Sequence, residues 1–366
     1  MNLDNLIQKC VASGQLSRDE ILYLLNLDGD DDVARLLRAA DDVRKAECGD
    51  AVQIRALVEI SNTCARSCLY CGIRAPNKDI VRYRMPADEI VELAGELNKK
   101  GLKTIVMQSG EDPYYTAGIV ADIVRRIKDS TQMAITLCFG ERPEEDYRLW
   151  KQAGADRYLL RHETANRDLY AKLHPDSDFD HRMRCLYALR EIGYQVGAGC
   201  MVGIPGQSVD NMADDIEFFR DFQPDMAGIG PYIPHPDTPF AGNPAGDVQM
   251  TLKMVALARI VTRNALLPAT TAIGSIAEMG CEMALDAGAD VVMPNYTPLK
   301  YRVHYEIYPN KRCITEDPAF DDLATRLQIQ ATNRRISNDP GHSRKLKISK
   351  TLADTQEGVP IPNLGI

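Results

Sequence analysis

Cys64, Cys68 and Cys71 lie in the stretch Ile60-Ser-Asn-Thr-Cys-Ala-Arg-Ser-Cys-Leu-Tyr-Cys-Gly72, spaced C-x3-C-x2-C. Three thiolates on one short loop can hold three irons of a cubane 4Fe-4S cluster, and the fourth iron then has no protein ligand from that loop. An iron with an open position can take a chelating small molecule that offers an amino and a carboxylate group together. Two other uses of the thiols fit less well. A structural zinc knuckle wants a fourth Cys or His at ligand spacing, and no His occurs between Cys71 and His162. A disulfide framework needs an oxidising compartment, yet the N-terminus Met1-Asn-Leu-Asp-Asn5 shows no charged region followed by an apolar core.

Further chemistry-bearing residues recur at the ends of short apolar runs. Gln108-Ser-Gly-Glu-Asp112 can present backbone groups and the Glu111 carboxylate to a ligand ammonium, with Gly110 letting the backbone come close. A lone Ser-Gly-Glu is a weak signal; it gains meaning from following the cysteine loop. Glu163 can accept hydrogen bonds from a ribose diol or simply complement a helix dipole. Arg182 can hold a carboxylate with two prongs or be an exposed helical cation. His162, standing alone, reads more readily as a satisfied buried histidine than as a ligand. Cys138, Cys185, Cys200 and Cys281 stand singly and read as core thiols. The acid run from Asp28 to Asp32 reads as a solvated turn, since no calcium-type loop comes after it.

The elements that must position these residues alternate. Up to about residue 50 the chain reads as helical over Asn5 to Cys10, Ser17 to Asn26 and Asp31 to Glu47, with a capping box at Ser17-Arg-Asp-Glu20. This segment is expected to form a helical cap on the rest of the chain. From Val52 short β-branched runs alternate with amphipathic stretches, the pattern of β-α units around a parallel sheet. Strands are predicted at Val52 to Ile60, Thr104 to Gln108, Ala134 to Cys138, Tyr158 to Arg161, Gln195 to Val202, Met226 to Gly230, Pro268 to Ile273 and Val291 to Met293. Eight such units predict an α/β fold, a closed (β/α)8 barrel, with a six-unit partial barrel as the alternative. Barrel enzymes build their sites from loops at the carboxyl ends of the strands. The cysteine loop, Gln108 to Asp112, Thr136 and Cys138, Arg161-His-Glu163, Met201 and Thr270-Thr271 all fall there.

The expected organisation is a helical cap over 1–50, the barrel over 51–295 and a closing segment over 296–366. Within the closing segment, Tyr296 to Cys313 is rich in Tyr and Pro and is expected to lie against one barrel mouth. Asp317 to Arg335 reads as a closing helix, and beyond Ser337 the polar composition predicts a surface-hugging or partly disordered tail. With 366 residues and 45% hydrophobic content the chain can fill a large core. A net charge of -9 argues against a broad nucleic-acid footprint. No run of about 18 apolar residues marks a membrane span. Ten cysteines without a secretory signal fit a reducing cytoplasm.

The C-x3-C-x2-C spacing, with aromatic Tyr70 before the third cysteine, resembles the signature of radical SAM enzymes, in which S-adenosylmethionine (SAM) chelates the open iron. The resemblance narrows further. Arg82-Tyr-Arg-Met85, Gln108-Ser-Gly-Glu-Asp-Pro-Tyr-Tyr115, Gly154-Ala-Asp-Arg-Tyr-Leu-Leu-Arg-His-Glu-Thr-Ala-Asn166, Pro231-Tyr-Ile-Pro-His-Pro-Asp-Thr-Pro239, Pro268-Ala-Thr-Thr271 and Met293-Pro-Asn295 look like the HydE family of FeFe-hydrogenase maturases. The likeness spans roughly residues 50 to 315. Methylornithine synthase and biotin synthase share the architecture and parts of the pattern, but the Arg-His-Glu-Thr-Ala-Asn block favours HydE.

The resemblance implies one 4Fe-4S cluster on the three cysteines and SAM held near Tyr70, Gln108, Ser109, Glu111, Thr136, Glu163, Arg182 and Met201. It implies a substrate held by Arg161, Thr270, Thr271, Met293 and Tyr305. That substrate would be a cysteine-bound iron carrying CO and cyanide, supplied by HydG, with the product passed toward HydF and electrons drawn from a ferredoxin or flavodoxin. Some HydE proteins carry a second cluster on three C-terminal cysteines. Here Cys313 matches the first, but Asp321 and Ala324 occupy the other two places. Two rivals remain: a radical SAM mutase or sulfur-inserting enzyme with an organic substrate, and a non-enzymatic iron-sulfur or zinc scaffold. The strand-end blocks Gln108 to Asp112 and Arg161 to Asn166 argue against the scaffold.

Overall fold

The structure is a computed structural model that describes residues 1–311 and 318–345, with backbone alone for 318–321. Cys313 and the tail beyond residue 345 lie outside the described residues. Three helices come first: α1 (Leu3–Ala12), α2 (Arg18–Leu25) and α3 (Asp30–Cys48). Ser17 and Glu20 form the reciprocal capping box that their spacing predicts. Asp30, Asp31 and Asp32 of the acid run stand in the first turn of α3, where they complement its dipole. These helices lie on the flank of the barrel, not across one of its ends. Arg18 reaches Asp214 and Glu217 at 2.8 and 2.7 Å, and Lys253 donates to the Leu27 carbonyl at 2.9 Å.

The barrel strands are β1 (Ala51–Ile54) and β2 (Ala56–Ser61), one run interrupted at Arg55, then β3 (Thr104–Ser109), β4 (Ala134–Cys138), β5 (Arg157–Leu159), β6 (Gln195–Val202), β7 (Met226–Pro231), β8 (Pro268–Ala269) and β9 (Val291–Val292). Pairing is parallel throughout, in the orders β2-β3-β4-β5-β6-β7 and β1-β9-β8. Two parallel bridges, Met226 with Leu266 and Leu57 with Asn295, close the ring, so the eight-unit barrel is the outcome and the six-unit alternative falls. Between the strands run α4 (Ala87–Lys99), α5 (Ala117–Ser130), α6 (Glu144–Ala153), α7 (Arg167–Leu173), α8 (Phe179–Glu191), α9 (Val209–Phe222), α10 (Val248–Thr262), α11 (Thr271–Ile276) and α12 (Gly280–Asp286). α13 (Leu299–Arg302), α14 (Pro318–Ala331) and β10 (Arg335–Ile336) complete the described chain.

Helix faces follow the 3.6 period. α5 buries Val120, Ala121, Ile123, Val124 and Ile127 and leaves its other side to solvent. α10 is buried nearly all round because the N-terminal helices cover its outer side. Behind β4 and β5 an aromatic knot centres on fully buried Trp150, edge-on to Phe139 at 5.9 Å and stacked on Tyr158 at 6.2 Å. Truncating Trp150 to Ala would cost about 3–5 kcal/mol.

Two expectations need correction. The strand predicted over Pro268 to Ile273 ends at Ala269, and Thr271 opens α11. Local β-branched composition is a weak signal that the tertiary setting overrides here. The polar stretch after Ser337 is not wholly a tail. Residues 337–345 plug the amino end of the barrel, where Arg157 donates to the Pro340 carbonyl at 2.7 Å, Arg55 to the Gly341 carbonyl at 3.0 Å, and the Ser343 amide to Gln195 at 2.7 Å. Polar composition hides this because the plug is held by buried polar side chains of the strands rather than by apolar contact.

Candidate active site at the carboxyl mouth of the barrel

β2 delivers the chain to the cysteine loop through two buried polar anchors. Ser61 donates to Asp112 at 2.7 Å, and the Asn62 side-chain amide donates to the carbonyls of Val81 at 2.8 Å and His304 at 2.6 Å. The loop itself has no regular structure, so backbone bonds from its neighbours shape it: Ala65 to Glu111 at 2.9 Å, Leu69 to Leu173 at 3.0 Å and Gly72 to Ile307 at 2.9 Å. Gly110 is required where it stands. A Cβ there would lie 2.4 Å from the Thr63 carbonyl oxygen and 2.6 Å from Cys64 Cβ.

Cys64, Cys68 and Cys71 are free thiols that line one cavity. Burial pushes all three thiols up, Cys71 to about 12, and at Cys68 the neighbouring Cys71 and Cys64 add to the effect. Three thiolates that share one loop and one cavity need a shared cation, and a cluster of positive irons would supply it. The donor set therefore fits a three-cysteine cluster.

The cavity holds about 330 Å³ and reaches from the cysteine loop into the barrel. It brings together Tyr70, Gln108, Ser109, Glu111, Arg161, Glu163, Arg182, Met201, Thr270, Thr271, Met293 and Tyr305. Glu111 is engaged there, accepting from Arg66 Nε at 2.5 Å and from the Glu141 amide at 3.0 Å. Arg182 is buried rather than exposed. Its Nε donates to Glu141 at 2.5 Å and its Nη1 to the Arg161 carbonyl at 2.7 Å. Burial opposes its charge, but Tyr170 and Glu141 outweigh that and hold it cationic.

Tyr70 is fixed by His174. Burial lowers the His174 pKa to about 3, so the ring is neutral. Its Nδ1 lies 3.1 Å from the Tyr170 carbonyl and its Nε2 3.0 Å from the Tyr70 hydroxyl. The partners assign the tautomer: Nδ1–H donates to the carbonyl, and Nε2 accepts from Tyr70.

Glu163 sits at φ +66, a left-handed conformation uncommon for a residue with a side chain. Its carboxylate Oε2 faces Arg161 Nε at 3.2 Å without hydrogen-bond geometry, so both buried atoms keep bonding capacity for a ligand. On the far wall Thr270 donates to the Ile229 carbonyl at 3.2 Å, and Gly230 leaves room for it, since a Cβ there would come within 2.8 Å of its hydroxyl.

Thr136 does not join the others. It lies one layer lower in the barrel, in a small separate pocket with Arg55, Arg157 and Gln195. Side chains two apart on a strand share a face, and it is Cys138, at the end of β4, that reaches the cavity. Reading Cys138 only as a core thiol missed this.

Sequence reasoning also missed Glu59, Lys311 and Tyr308 in the cavity wall. Lys311 pairs with Glu59, which also accepts from Asn295 at 2.9 Å. A carboxylate inside the otherwise apolar run Ala56-Leu-Val-Glu-Ile60 was a readable signal. Lys311 carried none.

The family described as the Radical SAM superfamily matches residues 58–219. The [FeFe] hydrogenase maturase subunit HydE of Thermotoga maritima is 50% identical over 311 residues, 85% of this chain and 89% of that protein. The 3-methylornithine synthase of Methanosarcina acetivorans is 26% identical over 310 residues, 83% of this chain and 87% of that one. Among solved structures, methylornithine synthase (PylB) matches with a TM-score of 0.80 over 94% of this chain and 99% of that one at 22% identity, which bears on the fold alone. Half-identity over 85% of the chain, together with a three-cysteine loop opening on its cavity, means that this chain is a radical SAM enzyme and belongs to the HydE family.

Proposed function

We propose that this enzyme cleaves SAM reductively and acts in FeFe-hydrogenase H-cluster assembly on a cysteine-bound iron that carries CO and cyanide. The observation that carries the reading is one continuous cavity, lined both by the cysteine loop and by Arg161, Thr270, Thr271, Met293 and Tyr305, in a chain half-identical to HydE of Thermotoga maritima. When bound to the loop, a 4Fe-4S cluster with one open iron supplies the electron that splits SAM into methionine and a 5'-deoxyadenosyl radical.

The chain's own residues bind, orient and shield. Gln108, Ser109, Glu163, Arg182 and Met201 are assigned to SAM, with Tyr70 and Glu111 shaping the loop beside it. Glu163 has a free acceptor for a ribose hydroxyl or an ammonium. The Arg161 guanidinium is the cation for an anionic iron complex, and charge-assisted bonds are strong in such a dry site. The closed barrel wall keeps stray hydrogen donors from a primary carbon radical. Residues 1–50, 51–295 and 296–366 serve in this proposal as flank, catalytic barrel and closing segment.

HydG would supply the substrate, HydF would receive the product, and a cytoplasmic ferredoxin or flavodoxin would provide electrons. The test is anaerobic maturation of apo-hydrogenase with purified HydF and HydG. Hydrogenase activity that depends on this protein and on SAM is expected. No maturation, with an amino acid consumed in step with SAM, would overturn the substrate and favour an organic-substrate reaction of the methylornithine-synthase or biotin-synthase kind.

A further inference from the structure

We propose that His162 and Asp215, which do not line the cavity, are positioning residues for SAM binding: they fix the backbone of Glu163 so that its carboxylate faces the ligand. The inference rests on the reading of Glu163 as a SAM contact. Glu163 follows β5 in its left-handed conformation, and its own backbone is tied on one side only, its amide to the Gly199 carbonyl at 2.9 Å and its carbonyl to the Met201 amide at 3.0 Å, both on β6. The remaining restraint comes from the residues that flank it. His162 Nδ1 accepts from the Gly199 amide at 3.3 Å, which leaves Nε2–H directed at Asp215 Oδ1, 3.2 Å away. The same Oδ1 accepts from the Ala165 amide at 2.6 Å. One carboxylate on α9 thus holds the chain on both sides of Glu163.

α9 is built to present this anchor. Asp215, Phe218 and Phe219 are spaced i, i+3 and i+4 and so share one face of the helix. The two rings pack against the imidazole at centroid distances of 4.4 and 5.4 Å and fix its plane. His162 and Asp215 are both fully buried, and Asp215 Oδ2 has no hydrogen-bond partner among the described residues. A buried polar pair left partly unsatisfied is a poor source of stability, and apolar side chains of the same volume would serve folding as well. What the pair does supply is a fixed direction for the loop. The donor atoms of His162, Cys200 and Asp215 lie within 4.8 Å of one another, as in a metal triad. Here, however, the imidazole and carboxylate already spend their facing atoms on a hydrogen bond, and the second ring nitrogen is taken by Gly199.

The test uses the cluster-loaded enzyme and four variants: His162→Phe, Asp215→Asn, Glu163→Ala and the double variant His162→Phe/Glu163→Ala. His162→Phe keeps the ring packing and removes both hydrogen bonds. It is expected to keep full iron content and the spectrum of the reduced cluster without SAM, while weakening SAM binding about tenfold, the scale of one lost hydrogen bond. Asp215→Asn keeps an acceptor at Oδ1 and is expected to bind SAM within about twofold of wild type. In the Glu163→Ala background the His162→Phe effect should vanish, because a residue that acts through Glu163 has nothing left to position. If His162→Phe binds SAM as wild type does, or weakens it equally with and without Glu163, the proposal is overturned. If Glu163→Ala alone leaves SAM affinity unchanged, the assignment of Glu163 fails first and the proposal falls with it. Should His162→Phe not fold, His162→Asn, which retains an acceptor for Gly199 and loses only the Asp215 bond, replaces it in the same cycle with the same two decisive outcomes.

Discussion

Gln108 Nε2 donates a hydrogen bond to the Tyr305 hydroxyl at 3.0 Å, joining the end of β3 to the segment that crosses the barrel mouth. Burial raises the Tyr305 pKa far above its usual value, so the hydroxyl stays protonated and its own O–H remains available to the cavity. The Lys311 ammonium lies 5.0 Å from the Tyr305 ring centroid and pairs with Glu59. Tyr305 therefore couples the side assigned to SAM with the side assigned to substrate.

Tyr305→Phe leaves the Gln108 amide without that acceptor. Losing this part-buried hydrogen bond costs about 0.5–1.5 kcal/mol. The variant should lose stability of that order in denaturant unfolding of the holoenzyme, and its SAM cleavage should become less tightly coupled to product. An unfolding midpoint and coupling ratio equal to wild type would show that the bond contributes nothing in solution.

Replacing Cys64, Cys68 and Cys71 together with Ala should abolish the spectrum of the reduced cluster and its change on adding SAM. Iron retained at about four per chain after anaerobic reconstitution would contradict the assignment of the cubane to this loop. Cys313→Ala, by contrast, should leave iron content and SAM cleavage nearly unchanged. By the resemblance to HydE, Asp321 and Ala324 occupy the places of the other two thiolates of a second cluster.

Arg161 and the pair Thr270 and Thr271 should separate binding of the two ligands. Charge-assisted hydrogen bonds contribute about 1.5–3 kcal/mol each, so Arg161→Ala should weaken the anionic substrate about tenfold or more. SAM keeps its other contacts. Arg161→Ala and Thr270→Val/Thr271→Val should still bind SAM and release some 5'-deoxyadenosine slowly while failing to mature hydrogenase. Normal maturation by the Arg161 variant would remove Arg161 from the substrate site.

Much of this is legible in the sequence, for identifiable reasons. The barrel follows from period: Gln195 to Val202 forms the strand its pattern predicts, and Ser17 to Asn26 the helix. The cysteine loop follows from spacing. What sequence could not supply was depth along a strand and the partner of a charged group. Thr136 and Cys138 share a face, and only the register of β4 with β5, where Thr136 pairs with Arg157, puts the first a layer below the cavity. Arg182 looks like any helical arginine until Glu141, distant in sequence, is found 2.5 Å from its Nε. The plug at residues 337–345 reads as a tail because its partners, Arg157 and Gln195 within strands and Arg55 between β1 and β2, are buried polar residues.

The last prediction concerns acid. His174 is 2% exposed, and burial, with Arg182 nearby, holds its folded-state pKa at about 3 against about 6.5 in an unfolded chain. The charged groups that act on it are Arg182, Asp176 and Arg66. Between those two pKa values the unfolded chain binds more protons than the folded one. Stability is therefore fully present above about pH 6.5 and falls as pH drops toward 3. From pH 7.5 to 5.5 the loss from this one residue is on the order of 1 kcal/mol. His162 is also lowered to about 3, but Asp215 beside it is raised by burial, and that pair's opposing shifts make it a poor reporter. His174→Gln removes the titration and keeps a group able to accept from Tyr70. Denaturant unfolding of the anaerobic holoenzyme at both pH values should show wild type losing on the order of 1 kcal/mol more than the variant. Equal losses would mean that His174 is protonated in the folded protein at pH 5.5 or accessible to water, and the Tyr70 anchor would then have to be read with the imidazole as donor.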